Sequence, residues 1–340
     1  MRNRSLVLTL LVAISLAVAM AACKKDEQLK FVYISPDPIG VNPFLAMGKS
    51  GLEESAQSHG AIAKTFQSED PTTRRENLRA AVAEGAKIVV VIGFQFNDMI
   101  NEFAEKHPNV QFLIVDQCVE KRPHNLHCAE FREHEATFLL GAEAASLTKS
   151  GHVGVVCALD IPFMHRFTDG FTLGAKHVKS DIKVDVRWVG GQNPYSDPVR
   201  AKEHAIALHA AGADIIFAAT SAGDYGIFEA AVEKGFKVMG VDINHCPNAP
   251  GKMYDSALKR IDVAMTETIK RIMAGEKKIS ASYGLKEGGA TVMALKRRGG
   301  LSSTKCLIAD ESEVVRAVRD LKDQIVSGKI KIPDPKFAKK

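Results

Sequence analysis

After Met20 the 340-residue chain contains no second apolar run of spanning length, since a membrane helix needs roughly 20 such residues. A multi-pass membrane protein is excluded. The chain also lacks a basic cluster. Its Lys and Arg residues are spread out and the formal net charge is only +5, which argues against a nucleic-acid binder. There is no Gly-x-Ser-x-Gly elbow, so an α/β-hydrolase nucleophile has no support. Gly48-Lys49-Ser50 has the tail of a phosphate-binding loop, but Pro43 stands where that loop needs its first glycine. Flexible backbone amides cradle the phosphate in such loops, so the match is accidental. His134-Glu135 lacks the second His of a zinc-protease helix. The spacings around His124, His127, Cys128 and His245-Cys246 match no zinc template. Neither a metal nor a cofactor is expected.

Cysteine is scarce and unevenly placed. Besides Cys23 there are five, at Cys118, Cys128, Cys157, Cys246 and Cys306, and an odd number leaves at least one thiol free. Cys118 and Cys128 flank a short loop. They read either as a bridge formed in an oxidising compartment or as two small buried thiols at strand ends.

What the N-terminus does contain sets the compartment. Arg2 and Arg4 form a basic head, Leu6 to Met20 is apolar and uncharged, and Ala21-Ala22-Cys23 follows. This is the three-part layout of a secretory signal. Small residues immediately before a Cys resemble a bacterial lipobox, although Met20 stands where Leu is usual. Residues 1–22 are therefore expected to be a lipoprotein signal, with Cys23 lipidated and 23–29 serving as a polar tether. The body is expected outside the cytoplasmic membrane, anchored through Cys23.

The remaining chain of a little over 300 residues exceeds what one hydrophobic core usually fills, so two lobes are expected. Strand and helix patterns alternate from Leu29 onward and restart near Val153, without a Gly, Ser or Pro linker between the two series. Such alternation predicts an α/β fold with two doubly wound parallel sheets. The expected division is 30–130 for lobe 1, 131–249 for lobe 2, 250–300 for a return to lobe 1, and 301–340 completing lobe 2. Ala281 to Leu295 reads as one Gly-interrupted strand.

Two apolar strand patterns end on a carboxylate: Gln111-Phe112-Leu113-Ile114-Val115-Asp116 and Lys237-Val238-Met239-Gly240-Val241-Asp242. In open α/β sheets the crevice beyond the strands' carboxyl ends is where small ligands bind. One such Asp in each half suggests a ligand held between lobes. Phe44 follows the first strand, Phe94 follows the third, and Tyr195 lies in a Gly-rich loop of the second half. Several aromatics at strand ends suit a planar ring. Asp116 and Asp242 suit a vicinal diol, because each carboxylate accepts two O–H donors. Lys259 would offset their charge. An enzyme using Lys259 as an amine nucleophile, or the Asp pair as acid and base, is the weaker reading, because no activating base is in view.

These residues sit among longer matching stretches. They include Val91-Ile92-Gly93-Phe94, His107-Pro108-Asn109-Val110-Gln111-Phe112 with Asp116, and Phe138-Leu139-Leu140-Gly141-Ala142-Glu143-Ala144-Ala145. Arg166-Phe167-Thr168-Asp169-Gly170-Phe171, Gly212-Ala213-Asp214-Ile215-Ile216-Phe217 and Ser256-Ala257-Leu258-Lys259-Arg260 continue the series. In order and spacing the chain resembles the basic membrane protein family, purine nucleoside receptor type, of substrate-binding lipoproteins that serve ABC importers. The resemblance implies a type I periplasmic-binding-protein fold, a monomer that is not an enzyme, and a nucleoside closed between hinged lobes for an ABC permease. By that analogy Phe44 and Tyr195 sandwich the base. Asp116, Asp242 and Lys259 hold the ribose, and Gly223 lies on the lining loop. The base-reading stretch departs from the family's Asp-Lys-Ser-Phe-Asn: here it is Val41-Asn42-Pro43-Phe44-Leu45. Asn42 or Asp37 is left to replace the lost polar contacts. A free base, riboflavin or a sugar stays open as the alternative ligand.

Overall fold

The computed structural model describes residues 28–296 and 299–337, so the signal segment and Cys23 lie outside the described residues. The first half runs β1 (Lys30–Ser35), α1 (Pro43–Ser58), β2 (Ile62–Gln67), α2 (Pro71–Ala83), β3 (Ile88–Ile92), α3 (Asn97–Lys106), β4 (Gln111–Val115) and β5 (Leu126–Phe131). The second half repeats the plan. It runs α4 (Glu133–Leu147), β6 (His152–Cys157), α5 (His165–Val178), β7 (Lys183–Trp188), α6 (Pro198–Ala210), β8 (Ile215–Ala219), α7 (Asp224–Lys234) and β9 (Lys237–Gly240). Then come β10 (Met253–Lys259), α8 (Ile261–Met273), β11 (Ser280–Tyr283), β12 (Ala290–Val292) and α9 (Ser312–Val326).

Local sequence explains where these elements start. Asn42, Asp70 and Asp197 each cap a helix by accepting a backbone N–H, and each is followed by Pro at the first helical turn. The central strands β3 and β8 are buried along their whole length, as strands covered by helices on both faces must be.

Two six-stranded sheets result, ordered β11-β5-β4-β3-β1-β2 and β12-β10-β9-β8-β6-β7. Each keeps the doubly wound order 2-1-3-4-5 within its first five strands, which puts the switch point beside the first strand of each half. The fold class expected from the sequence is the fold observed. Two details differ. Residues 250–300 do not return whole to the first lobe: β10 pairs in parallel with β9 in the second sheet, and only α8 and β11 go back. The stretch 281–295 is not one strand either. β11 pairs with β5, whereas β12 crosses to the second sheet and runs antiparallel to β10. Three chain segments therefore join the lobes, after β5, after β10 and after β11.

Helices α4 and α5 approach closely enough to need glycine. A Cβ on Gly174 would lie 1.8 Å from the Phe138 carbonyl oxygen, and one on Gly141 would lie 1.9 Å from that of Phe171. The opposing atoms are backbone, so neither helix can yield by a rotamer change. Gly174→Ala is expected to cost roughly 3 kcal/mol, the upper range for overpacking. Thermal denaturation checks this, and a melting point within a degree of the parent would refute it. The contact matters because α4 and α5 carry Glu133 and Arg166 to the hinge.

Candidate functional site

Beyond the carboxyl ends of both sheets the lobes enclose a cleft with about 620 Å³ of empty space, part of it open to solvent. From lobe 1 come Asp37, Asn42, Phe44, Phe94, Gln95 and Asp116. From lobe 2 come Phe163, Met164, Phe167, Tyr195, Ser221, Asp242 and Lys259. All but one of the residues singled out in the sequence thus meet at one place. Gly223 is the exception. It stands behind the wall, in a short turn where its N–H donates to the Tyr195 carbonyl at 3.3 Å, and a Cβ would crowd Thr220 Oγ1.

Asp116 and Asp242 follow their strands in the left-handed region, at φ 75° and 68°, and Ser221 does the same at 58°. Asp tolerates this conformation better than most residues, and such backbone tends to gather at ligand sites. Each Asp also begins a disulfide-tied loop. Cys118 bonds Cys128, which resolves the reading left open above. Cys246 bonds Cys306, a pairing across 60 residues that nothing in the sequence indicated. Cys157 is free and buried.

At the cleft floor lies a chain of charge. Lys259, the last residue of β10, contacts Asp116 across the lobes and reaches Glu133 Oε1 at 2.9 Å. Glu133 in turn meets Arg166 Nη1 at 3.3 Å, and Arg166 binds Asp334 near the C-terminus. The Lys259 ammonium also lies over the rings of Phe44, Phe163, Phe131 and Phe167, at 4.9, 5.1, 5.3 and 5.6 Å from their centroids. Cation–π attraction in a desolvated site adds to the ion pairs.

Burial sets the protonation states. It pushes Asp116 up to about 7 against the pull of Lys259, with Glu133 adding to the rise. It pushes Asp242 up to about 6, again opposed by Lys259. Burial also works against the charge on Glu133, but Lys259 and Arg166 outweigh it and hold that carboxyl below its usual range. Lys259 is desolvated too, yet Asp116, Glu133 and Asp242 keep it firmly protonated.

Asp242 therefore differs from Asp116. Among the described residues its carboxylate has no salt bridge within 4.0 Å, and its only bond to Lys259 is through the main chain, where its carbonyl accepts the Lys259 N–H at 3.0 Å. It is a buried acceptor facing the cleft without a donor. The Tyr195 hydroxyl is likewise buried without a hydrogen-bond partner. A ligand bearing both a flat apolar ring and paired hydroxyls would meet aromatic faces and carboxylates in the same cleft.

Sequence reasoning missed Glu133, Phe163, Phe167, Gln95 and Ser221. An acidic residue at a helix start and two Phe residues at helical spacing look like ordinary structure. Val41, at one of the two positions where the family carries polar groups, is exposed, while Leu45, at the other, is buried and lines the cleft.

The family model described as "ABC transporter substrate-binding protein PnrA-like" matches residues 29–336. Among curated proteins, the "ABC transporter nucleoside-binding protein BmpA" of Lactococcus lactis subsp. cremoris is 28% identical, over 98% of this chain and 99% of its own. The "CD4+ T-cell-stimulating antigen" of Listeria monocytogenes is 27% identical over the same shares. Among solved structures, an ABC transporter solute-binding protein from Aeropyrum pernix K1 superposes with a TM-score of 0.78. It covers 90% of this chain and 94% of its own at 22% identity. The myo-inositol binding protein of Caulobacter gives 0.63 at 15% identity, over 81% and 95%. At those identities the structural likeness speaks for the fold alone.

Proposed function

We propose that this chain, which belongs to the PnrA-like family of ABC transporter substrate-binding proteins, is a receptor for a nucleoside. Membership makes it a solute-binding protein rather than an enzyme. The observation that carries the nucleoside reading is a single cleft that brings aromatic faces from Phe44, Phe94, Phe163 and Tyr195 together with Asp116, Asp242 and Lys259. The ring is held among the aromatics, Asp242 and Asp116 accept the ribose hydroxyls, and Lys259 offsets the two carboxylates. The Lactococcus relative, named as a nucleoside-binding protein, supports the same reading.

The lobes close on the ligand by bending at their three connections, and an ABC permease receives it from the closed form. Cys23, lipidated, would hold the receptor at the membrane surface. Among the described residues no helix is long and apolar enough to cross a membrane. A different ligand in the same cleft, such as a free base, riboflavin or a sugar, is the second reading, motivated by the apolar Leu45 at a position that the family keeps polar.

A thermal-shift panel of nucleosides, free bases, riboflavin and sugars tests the proposal. A ligand that binds only the folded form stabilises it by about 2.7 kcal/mol at a hundredfold excess over its Kd. Shifts with nucleosides and none with ribose or inositol are expected.

A further inference from the structure

The first turn of α1 contains a contact that neither the ribose end nor the stacking faces explain. Asn42, buried at 7% exposure, accepts two hydrogen bonds on the same atom. The Leu45 backbone N–H donates to Oδ1 at 3.1 Å, and the Ser221 hydroxyl donates to it at 3.0 Å. A backbone N–H can only donate, so the atom facing it must be the amide oxygen. The amide orientation is thereby fixed by chemistry. Both hydrogens on Nδ2 are left without a protein partner among the described residues, on a side chain that lines the cleft.

Ser221 belongs to the other lobe. It follows β8 and sits in the left-handed region, whereas Asn42 precedes α1 beyond the end of β1. Their bond exists only when the lobes are together. Closure therefore does more than cover the ligand, because it supplies the second donor that locks the amide. The closed cleft thus offers one free donor pair from Asn42. A ring carbonyl matches that pair. An amino group in the carbonyl's place sets donor against donor.

We infer that Asn42, oriented by Ser221 from the opposite lobe, is the donor that reads the edge of the bound ring and selects nucleosides with a lactam edge. Asn42 is the specificity-determining residue and Ser221 its positioning residue. The inference rests on the nucleoside reading above and assigns the polarity of the ring that reading leaves open. Mismatched buried hydrogen-bonding groups discriminate by roughly 10- to 100-fold, which is the preference expected for inosine over adenosine. The two differ at the lactam edge and share the ribose, so contacts to Asp116, Asp242 and Lys259 cancel in the ratio.

The experiment is calorimetric titration of the parent protein, Asn42→Asp and Ser221→Ala with inosine and adenosine. Asn42→Asp keeps the accepting oxygen for Leu45 and Ser221, and Asp caps a helix as well as Asn does, so the fold is retained. It exchanges the donor pair for an acceptor. The parent should prefer inosine, Asn42→Asp should reverse the preference to adenosine, and Ser221→Ala should bring the ratio toward one. A purely structural role for Ser221 would weaken both ligands alike and leave the ratio unchanged. An unchanged ratio in Asn42→Asp overturns the role of Asn42 while the nucleoside reading stands. A reversal in Asn42→Asp with a parent-like ratio in Ser221→Ala overturns the positioning half. A parent protein that binds neither nucleoside overturns both the inference and the reading beneath it.

Discussion

Asp242→Asn is expected to weaken nucleoside binding on the order of 100-fold while leaving the protein as stable as the parent, or more so. The Asp242 carboxylate is buried and, among the described residues, has no salt bridge of its own. It therefore contributes little to the ligand-free fold. In the complex it would accept ribose hydroxyls, and hydrogen bonds to a charged group contribute roughly 1.5–3 kcal/mol each. Asn is the informative replacement because it tolerates the left-handed backbone at this position, where φ is 68°. Its amide keeps one acceptor, loses the charge and turns a donor toward the diol.

The same residue gives the pH dependence. Burial raises Asp242 to about 6 in the ligand-free protein, so a proton competes with the diol. Affinity should be level above about pH 8 and fall as pH drops through 7 and then 6, where Asp116 and Asp242 in turn take up protons, because only the ionised form accepts both hydroxyls. Stability of the empty protein runs the other way. A carboxyl whose folded pKa is raised contributes stability below its unfolded value, and that contribution is lost as pH rises through about 6. Titration calorimetry and thermal melts across pH 5–8 would separate the two. Unchanged affinity in Asp242→Asn would remove the diol role.

Lys259→Met should be the most damaging single change to the fold. Among the described residues no other cation lies within salt-bridge distance of Asp116, and Lys259 also shares Glu133 with Arg166. Met suits the surrounding Phe rings in size and polarisability, so packing is largely kept and the change isolates the charge. Removing one partner of a buried ion pair costs about 3–5 kcal/mol. For a chain of this size that is a fall in melting point of roughly 10 °C. Asp116 already stands near 7, and without Lys259 it would take up a proton more readily. The deficit should therefore be larger at pH 8 than at pH 5.5. An equal melting point at pH 8 would mean that the pair is not needed.

The contrast between Asp242 and Lys259 also marks how far the sequence could be read. Both Asp residues were legible because an apolar strand that ends on a carboxylate is a local pattern, and sheet topology converts it into a position in space. The strand–helix alternation and the repeat of the series were legible for the same reason. Membership of a strand in one sheet or the other was not. β10 carries no local mark of the sheet it joins, and only long-range pairing reveals that it stays in the second sheet before the chain returns. Glu133 was illegible because an acid in the first turn of a helix is ordinarily satisfied there. Its role depends on Lys259 and Arg166, which lie far along the chain. Phe163 and Phe167 face Lys259 through a spacing that equally describes a core helix face. The Ser221–Asn42 bond joins residues 179 positions apart and has no sequence signature.

The most direct test of the central claim is calorimetric titration of the purified protein with inosine, ribose and myo-inositol in parallel. A nucleoside held between the lobes by its ring and its diol predicts one saturable site for inosine. Ribose, which carries hydroxyls without the ring, should bind at least 100-fold more weakly, because a desolvated stacking face contributes roughly 1–3 kcal/mol per base and closure also buries the ring. Saturable binding of ribose or myo-inositol with no response to inosine would contradict the account and leave the fold with a different ligand.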